Sequence, residues 1–204
     1  MASRAEFPSR RQLALAIPLL PFLGRSGAPQ GLPPSPDPAG AAGFATAILL
    51  RHAEKETGSD PAAPPSRDPA LSQAGQERAL ALSKLLSRAG ATHLFATEYR
   101  RTRETLVPLA GALSLEIEAV PAAELARLVE RLRSLPAGSV AVVAGHSNTV
   151  PAIAQALGGR MEDVVDTPKG PMLRDDEYDR LVVLTRALAG GNPSASLIEL
   201  AYGG

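Results

Sequence analysis

The chain has 204 residues, 45% of them hydrophobic, with 21 Lys plus Arg balanced by 21 Asp plus Glu. These values fit one globular domain with a tail, and the balanced charge gives no positive field that would favour nucleic acid. Cysteine and tryptophan are absent and aromatic residues total 3%, which excludes a thiol nucleophile or cysteine-ligated metal and argues against stacking platforms for bases or sugars.

The N-terminal stretch has the composition of an export signal. Arg10 and Arg11 precede an apolar run over residues 13–23, and small residues follow at 26–28. This order predicts a signal peptide over residues 1–28. The run is shorter than the roughly 20 residues that span a bilayer, so we expect no membrane span.

The paired arginines also suggest an export route and a location for the protein. The stretch Ser9–Leu13 resembles the start of a twin-arginine signal, which predicts a periplasmic or extracellular protein. The alternative is a cytoplasmic protein with a disordered N-terminal extension. Residues 29–43 are rich in Pro, Gly and Ala, a composition typical of a linker.

From residue 44 to residue 204, apolar runs of strand length alternate with helical patterns, which predicts a single domain. Ser72 is placed to cap the first helix, whose apolar face would hold Leu82, Leu85 and Leu86, and Pro108 lies inside the second. Near-continuous apolar strands alternating with helices predict a three-layer α/β/α sandwich with a mostly parallel central sheet. In chain order, the predicted elements are strand 47–50, helix 72–88, strand 92–96, helix 101–113, strand 115–120, helix 122–135, strand 140–144, helix 150–157 and strands 181–184 and 197–200.

Polar residues follow three of the predicted strands directly. The clusters cover residues 51–55, 97–105 and 145–149. In parallel α/β sheets ligands bind beyond the carboxyl ends of the strands, so we expect the three clusters to meet there.

Two histidines and several arginines in these clusters, without cysteine, indicate a pocket for a phosphoryl group. The guanidinium fork matches phosphate oxygens and stays charged, and a neutral imidazole can attack phosphorus to form a covalent intermediate. Loss of one fixed donor would cost on the order of 10²–10³ in rate. A serine-hydrolase elbow is disfavoured because Thr149 replaces its last glycine, and a zinc site is disfavoured because nearby guanidinium groups repel the cation.

Four sequence motifs indicate a protein family in which this chemistry occurs. In chain order they are Arg51-His52 after an apolar strand, Leu71–Ala79, Thr97–Thr105 and Gly145–Asn148. They resemble the motifs of the histidine phosphatase superfamily, which includes phosphoglycerate mutases, acid phosphatases and phosphohistidine phosphatases. The resemblance implies a phosphoglycerate mutase-like fold.

The resemblance also implies the roles of individual residues. His52 would be the nucleophile, and Arg51, Arg101 and His146 would hold the phosphoryl oxygens, with no metal or cofactor. Ala53 stands where the family usually has glycine, and its small side chain should still permit close approach.

The proton donor is less defined. In the mutase-like branch it is a glutamate some two dozen residues after the second arginine, and this implies Glu124, which lies at the start of a predicted helix. Glu54 and then Glu118 are the alternatives.

We therefore expect a phosphatase that acts on a small-molecule or surface phosphomonoester. A phosphomutase and a non-catalytic phospho-ligand-binding protein are the alternatives, and the short proline-rich loop after Lys55 offers little material for the closed lid that a mutase needs. Residues 56–72 and 161–178 are expected to shape specificity. The sequence carries no signal for substrate identity or oligomeric state.

Overall fold

The computed structural model describes residues 43–57, 66–188 and 195–203. The predicted signal peptide and nearly all of the predicted linker fall on residues 1–42, which lie outside the described residues. The elements are β1 (Phe44–Arg51), α1 (Gln73–Leu86), β2 (His93–Ala96), α2 (Arg100–Leu113), β3 (Ile117–Ala119), a 3₁₀ turn (Ala122–Glu124), α3 (Leu125–Arg133), β4 (Val140–Gly145), α4 (Thr149–Ala156), β5 (Val165–Thr167), β6 (Gly170–Met172), β7 (Arg180–Ala187) and β8 (Ala195–Ala201).

Six strands form one mixed sheet in the order β3-β2-β4-β1-β7-β8. The first four of these are mutually parallel. Strand β7 runs antiparallel to β1, and β8 runs antiparallel to β7. Strands β5 and β6 form a separate antiparallel pair. The mostly parallel sheet expected from the sequence is confirmed.

Both faces of the sheet are covered by helices, which explains the near-continuous apolar strands. Successive side chains of β1 point to opposite faces, so Leu49 joins one apolar core while Ile48 and Leu50 join the other. The first core is closed by α3 and α4 through Leu128, Leu132 and Ile153, and the second by α1 and α2 through Leu82, Leu86, Leu106 and Leu109. The three-layer α/β/α architecture is confirmed.

The structure corrects several local expectations. Leu85 is 52% exposed, because it lies about 100° around the helix from Leu86 and so faces away from the sheet. The helix expected over residues 122–135 begins as a 3₁₀ turn, since the backbone of Glu124 has φ −101° and ψ 39°, outside the α-helical region. The β5–β6 pair was not predicted, because each strand has only three residues and they show no alternation of apolar and polar side chains.

The sheet topology brings the three polar clusters to one edge. Arg51 at the end of β1 pairs with Gly145 at the end of β4, and Ala96 at the end of β2 pairs with Ala144. The segments that follow these three adjacent strands therefore leave the sheet side by side. No helix in the described part of the chain has both the length and the apolar character to cross a membrane.

Candidate active site

His52 is held where β1 ends, with 5% of its surface exposed. Its backbone N–H donates to the carbonyl of Gly145 at 2.9 Å. Its ring Nδ1 lies 2.8 Å from the carbonyl oxygen of Ala53. A carbonyl only accepts, so Nδ1 carries the proton and Nε2 keeps its lone pair.

The environment of His52 also keeps the ring neutral. Burial lowers its pKa from 6.5 to about 3. The Ala53 hydrogen bond opposes this shift, and smaller electrostatic effects of His146, Arg101 and Arg51 add to it. Near neutral pH the imidazole is therefore uncharged, as a nucleophile must be.

The backbone after His52 is fixed by two other motifs. The N–H of Ala53 donates to Thr105 Oγ1 at 2.9 Å, and the Thr105 hydroxyl donates to the carbonyl of Arg101 at 2.8 Å. At the start of α1, a Cβ on Gly75 would lie 2.1 Å from the carbonyl oxygen of Glu54. Only glycine lets α1 approach this closely, so α1 and α2 together position the backbone that follows His52.

Glu54, the second candidate for the proton donor, is bound by Arg78. Two guanidinium nitrogens donate to its carboxylate at 2.8–3.0 Å, and Arg78 also donates to the carbonyl of Tyr202 at 2.9 Å. Although burial raises the pKa of Glu54, the Arg78 hydrogen bonds and charge hold it below its ordinary value. The arrangement favours a structural carboxylate over an acid that carries a proton.

His146 faces His52 across the site, with ring centroids 5.4 Å apart in an edge-on arrangement. A Cβ on Gly145 would lie 2.6 Å from Thr149 Oγ1, the atom that accepts the His146 backbone N–H at 2.8 Å. This explains the glycine before the histidine. Burial and then the charge of Arg101 lower the pKa of His146 to about 4, with a smaller contribution from Arg51 and an opposing one from Glu98.

The guanidinium of Arg51 is fixed along one edge. Its Nη1 donates to the carbonyls of Arg174 at 2.8 Å, Asp175 at 2.9 Å and Glu177 at 3.2 Å. Its carbon lies 4.2 Å from the ring centroid of Tyr178, a cation–π distance. Its Nε is buried and has no hydrogen-bond partner among the described residues.

Arg101 has a similar arrangement at the start of α2. Its carbon lies 4.4 Å from the ring centroid of Tyr99, and its Nη1 lies 3.8 Å from a carboxylate oxygen of Asp68. Its Nε is also buried without a partner in the described ranges. Because an unsatisfied buried donor is costly, two such donors beside two neutral imidazoles indicate a site for an anion.

The two tyrosines beside these arginines were not found by sequence reasoning. The ring of Tyr99 lies edge-on to His146 at 5.3 Å, and the ring of Tyr178 lies 6.0 Å from His52. The low aromatic content of the chain gave no indication that two of its three tyrosines border the site. Tyr178 belongs to the segment 161–178 that was expected to shape specificity.

Within the described residues, Glu124 makes no hydrogen bond or ion pair with either imidazole of the site. Its carboxylate is instead 2.9 Å from Arg127 Nη1, with both side chains largely exposed. Glu118, the third candidate, pairs with Arg131 at 3.0 Å. Glu98, which sequence reasoning missed, follows Thr97 and acts electrostatically on His146, and it accepts the Ala122 N–H at 2.7 Å.

The third histidine lies apart from this group. His93 at the start of β2 stacks on Phe95, with ring centroids 6.2 Å apart, and its Nδ1 is 2.8 Å from Thr92 Oγ1. In the part of the chain that the structure describes, no group of three or more His, Asp or Glu side chains could hold a metal ion.

Comparison with known proteins finds one matching family model. Residues 47–131 match the model of the histidine phosphatase superfamily (branch 1). A search of curated protein sequences found no match.

Solved structures with the same fold include both phosphatases and a mutase. The protein histidine phosphatase SixA complexed with tungstate is 16% identical, with 76% of this chain and 96% of that chain covered at a TM-score of 0.56. Mycobacterial glucosyl-3-phosphoglycerate phosphatase is 15% identical, covering 70% and 91% at 0.50. Phosphoglycerate mutase from Plasmodium falciparum is 15% identical, covering 78% and 91% at 0.50. At such low identity these likenesses establish the fold alone.

Proposed function

Because residues 47–131 match the histidine phosphatase superfamily (branch 1), we propose that the chain is a phosphatase of that superfamily that hydrolyses a phosphate monoester through a phosphohistidine on His52. The observation that carries the proposal is the pair of buried, unpartnered Nε–H donors on Arg51 and Arg101 beside two uncharged imidazoles. A phosphoryl group supplies the oxygens that these donors lack and the electrophile that a neutral imidazole attacks.

The guanidinium groups would act along their free edges. Three carbonyls hold Nη1 of Arg51, and one proton of Nη2 is directed to the Tyr178 hydroxyl at 3.5 Å. Its Nε and the second proton of Nη2 would then donate to two phosphoryl oxygens in the side-on geometry that suits arginine. The Nε of Arg101 would donate to another oxygen. Stacking on Tyr178 and Tyr99 fixes the two guanidinium groups before substrate arrives. Their charges would therefore stabilise the transferring phosphoryl group without reorganisation.

The first half-reaction transfers the phosphoryl group to the protein. The Nε2 lone pair of His52 forms a bond to phosphorus as the bond from phosphorus to the leaving oxygen breaks, and the leaving oxygen takes a proton from a general acid. The hydrogen bond from Nδ1–H to Ala53 stabilises the positive charge that develops on the ring. His146, on the other side of the site, would contact a phosphoryl oxygen.

The second half-reaction frees the nucleophile. Water attacks phosphorus, the bond between phosphorus and Nε2 breaks, and the conjugate base of the general acid accepts the proton of the water. We propose Glu124 for this role, on the family resemblance, with Glu98 as the competing residue because its charge acts directly on His146. The two lie close in the fold, since Glu98 binds Ala122 in the 3₁₀ turn that ends at Glu124.

The experiment that tests the proposal compares His52→Ala with His93→Ala in hydrolysis of an aryl phosphate. We expect loss of phosphate release in the first variant and retention in the second, because His93 lies outside the site. Full activity of His52→Ala contradicts the proposal. Addition of an alcohol acceptor separates the alternatives, since a mutase would give transfer products in place of free phosphate, and a ligand-binding protein would give neither.

Export is a separate part of the proposal and is supported by the twin-arginine-like stretch Ser9–Leu13. We expect the mature protein to begin near residue 29. N-terminal sequencing of protein from the native host tests this, and a mature chain that begins at Met1 contradicts it.

A further inference from the structure

The imidazole of His146 begins a continuous series of hydrogen bonds that runs through the hydroxyl groups of Thr97 and Thr102. Nε2 of His146 lies 3.1 Å from Thr97 Oγ1, and Thr97 Oγ1 lies 2.8 Å from Thr102 Oγ1. Thr102 Oγ1 in turn lies 2.7 Å from the carbonyl oxygen of Tyr99 and 3.1 Å from that of Thr97. The side chain of Thr102 is fully buried, and that of Thr97 nearly so.

Counting protons along this series fixes its direction. A hydroxyl has one proton, and both oxygens beyond Thr102 are carbonyls, which can only accept. The Thr102 hydroxyl therefore donates to Tyr99, its own oxygen accepts from the Thr97 hydroxyl, and the Thr97 oxygen accepts from His146 Nε2.

The opposite direction is disfavoured. If Thr97 donated to His146, the Thr102 proton would be needed between the two threonines. The Thr102 oxygen would then lie 2.7 Å from the carbonyl of Tyr99 with no proton between them. Such a contact sets two acceptors against each other in a buried site, where an unpaired polar group costs about 1–3 kcal/mol.

We infer that Thr102 is a positioning residue that sets the tautomer of His146 through Thr97, so that Nε2 carries the proton and Nδ1 keeps the lone pair. His52 is held in the opposite tautomer by Ala53. The two imidazoles of the site thus expose different nitrogens, Nε2 of His52 as the nucleophile and Nδ1 of His146 as an acceptor that makes no hydrogen bond within the described residues.

This assignment has a chemical consequence, which rests on the proposed function. When a phosphoryl dianion binds, its charge favours protonation of His146. The new proton enters at Nδ1, while Nε2–H stays with Thr97. Nδ1–H is then the donor that His146 offers to a phosphoryl or leaving oxygen, and the orientation of the ring is unchanged by the proton.

Nitrogen-15 NMR of histidine-labelled protein tests the inference without any enzymatic assay. In a His93→Gln background, two histidines remain, and we expect one Nδ1–H tautomer from His52 and one Nε2–H tautomer from His146, assigned by comparison with His146→Gln. In Thr102→Val, the Thr97 hydroxyl loses its acceptor and turns to His146 Nε2, so the tautomer of His146 reverses. Thr102→Ser restores the hydroxyl and is expected to restore the original tautomer.

The His52 resonances serve as the internal control for folding, because the bond from Nδ1 to Ala53 does not involve Thr102. Thr185→Val, in strand β7, removes a hydroxyl that bonds Thr46 and should leave both tautomers unchanged. An Nδ1–H tautomer of His146 in the parent protein overturns the inference, as does an unchanged His146 in a folded Thr102→Val.

If the proposed function holds, kcat for an aryl phosphate should fall on the order of 10²-fold in Thr102→Val and recover in Thr102→Ser. An inactive parent protein with the expected tautomers would refute the proposed function and leave the positioning role of Thr102 intact. An active Thr102→Val with a reversed tautomer would refute the catalytic consequence.

Discussion

Replacement of Gly75 by alanine is expected to damage the active site from outside it. The added Cβ would lie 2.1 Å from the carbonyl oxygen of Glu54 and 3.0–3.1 Å from two other backbone atoms of that residue, whereas ordinary contact begins near 3.4 Å. Backbone cannot rotate away as a long side chain can. The start of α1 or the loop after His52 must therefore move by more than 1 Å.

The size of the effect follows from that displacement. Overpacking of a well-packed site costs about 1–3 kcal/mol in unfolding free energy. A misplacement of about 1 Å at a reacting group costs on the order of 10²-fold in rate. We therefore expect Gly75→Ala to lower both the urea midpoint and kcat.

Gly111→Ala is the matched control. Gly111 also lies in a helix, α2, and a Cβ there meets nothing within 4 Å. This substitution should stabilise the protein by about 0.5–1 kcal/mol through helix propensity and leave kcat unchanged. Urea unfolding and initial rates on one aryl phosphate measure both variants. A Gly75→Ala protein with parental stability and kcat would refute the close approach of α1 to the backbone of Glu54.

Two further predictions concern protons. The pKa values of His52 and His146 lie near 3 and 4, against about 6.5 in the unfolded chain. Between these values the unfolded state binds more protons, so the free energy of unfolding falls as the pH is lowered through that range. Proton NMR titration should find neither ring titrating between about pH 5 and 8, and a ring that titrates near 6.5 would contradict the burial of the two histidines. For the general acid, we expect Glu124→Gln to slow hydrolysis of an alkyl phosphate far more than that of a nitrophenyl phosphate, because only the poor alkoxide leaving group needs a proton. If Glu98→Gln shows that difference and Glu124→Gln does not, Glu98 is the acid. If neither variant shows it, both assignments are wrong.

Most of the fold could be predicted from the periodicity of the sequence. The strand at 140–145 and the helix at 125–133 bury nearly all their apolar positions, so their patterns are strong. The pair β5–β6 could not be predicted in this way, because its register depends on a turn that begins after Thr167 and on packing against α4. Leu85 was misplaced because it falls at the margin of the apolar face of α1, where a leucine alone does not determine burial.

The candidate site was predictable only for the residues that lie at the ends of adjacent strands. Arg51 ends β1, and His52 and His146 come directly after β1 and β4, so the parallel register alone brings them together. The support of Arg51 was not predictable, because the atoms that hold Nη1 are backbone carbonyls of residues 174–177, which any sequence would supply. The position of Glu124 likewise depends on a 3₁₀ turn that helical spacing does not reveal.

The central claim is that His52 carries the phosphoryl group, and a trapped intermediate tests it most directly. The protein would be mixed with a phosphorus-32-labelled aryl phosphate and quenched in alkali, where phosphohistidine survives, and the labelled peptide would be located by mass spectrometry. We predict label on His52, none in His52→Ala and parental labelling in His93→Ala. Label on a different residue, or undiminished label in His52→Ala, would contradict the account.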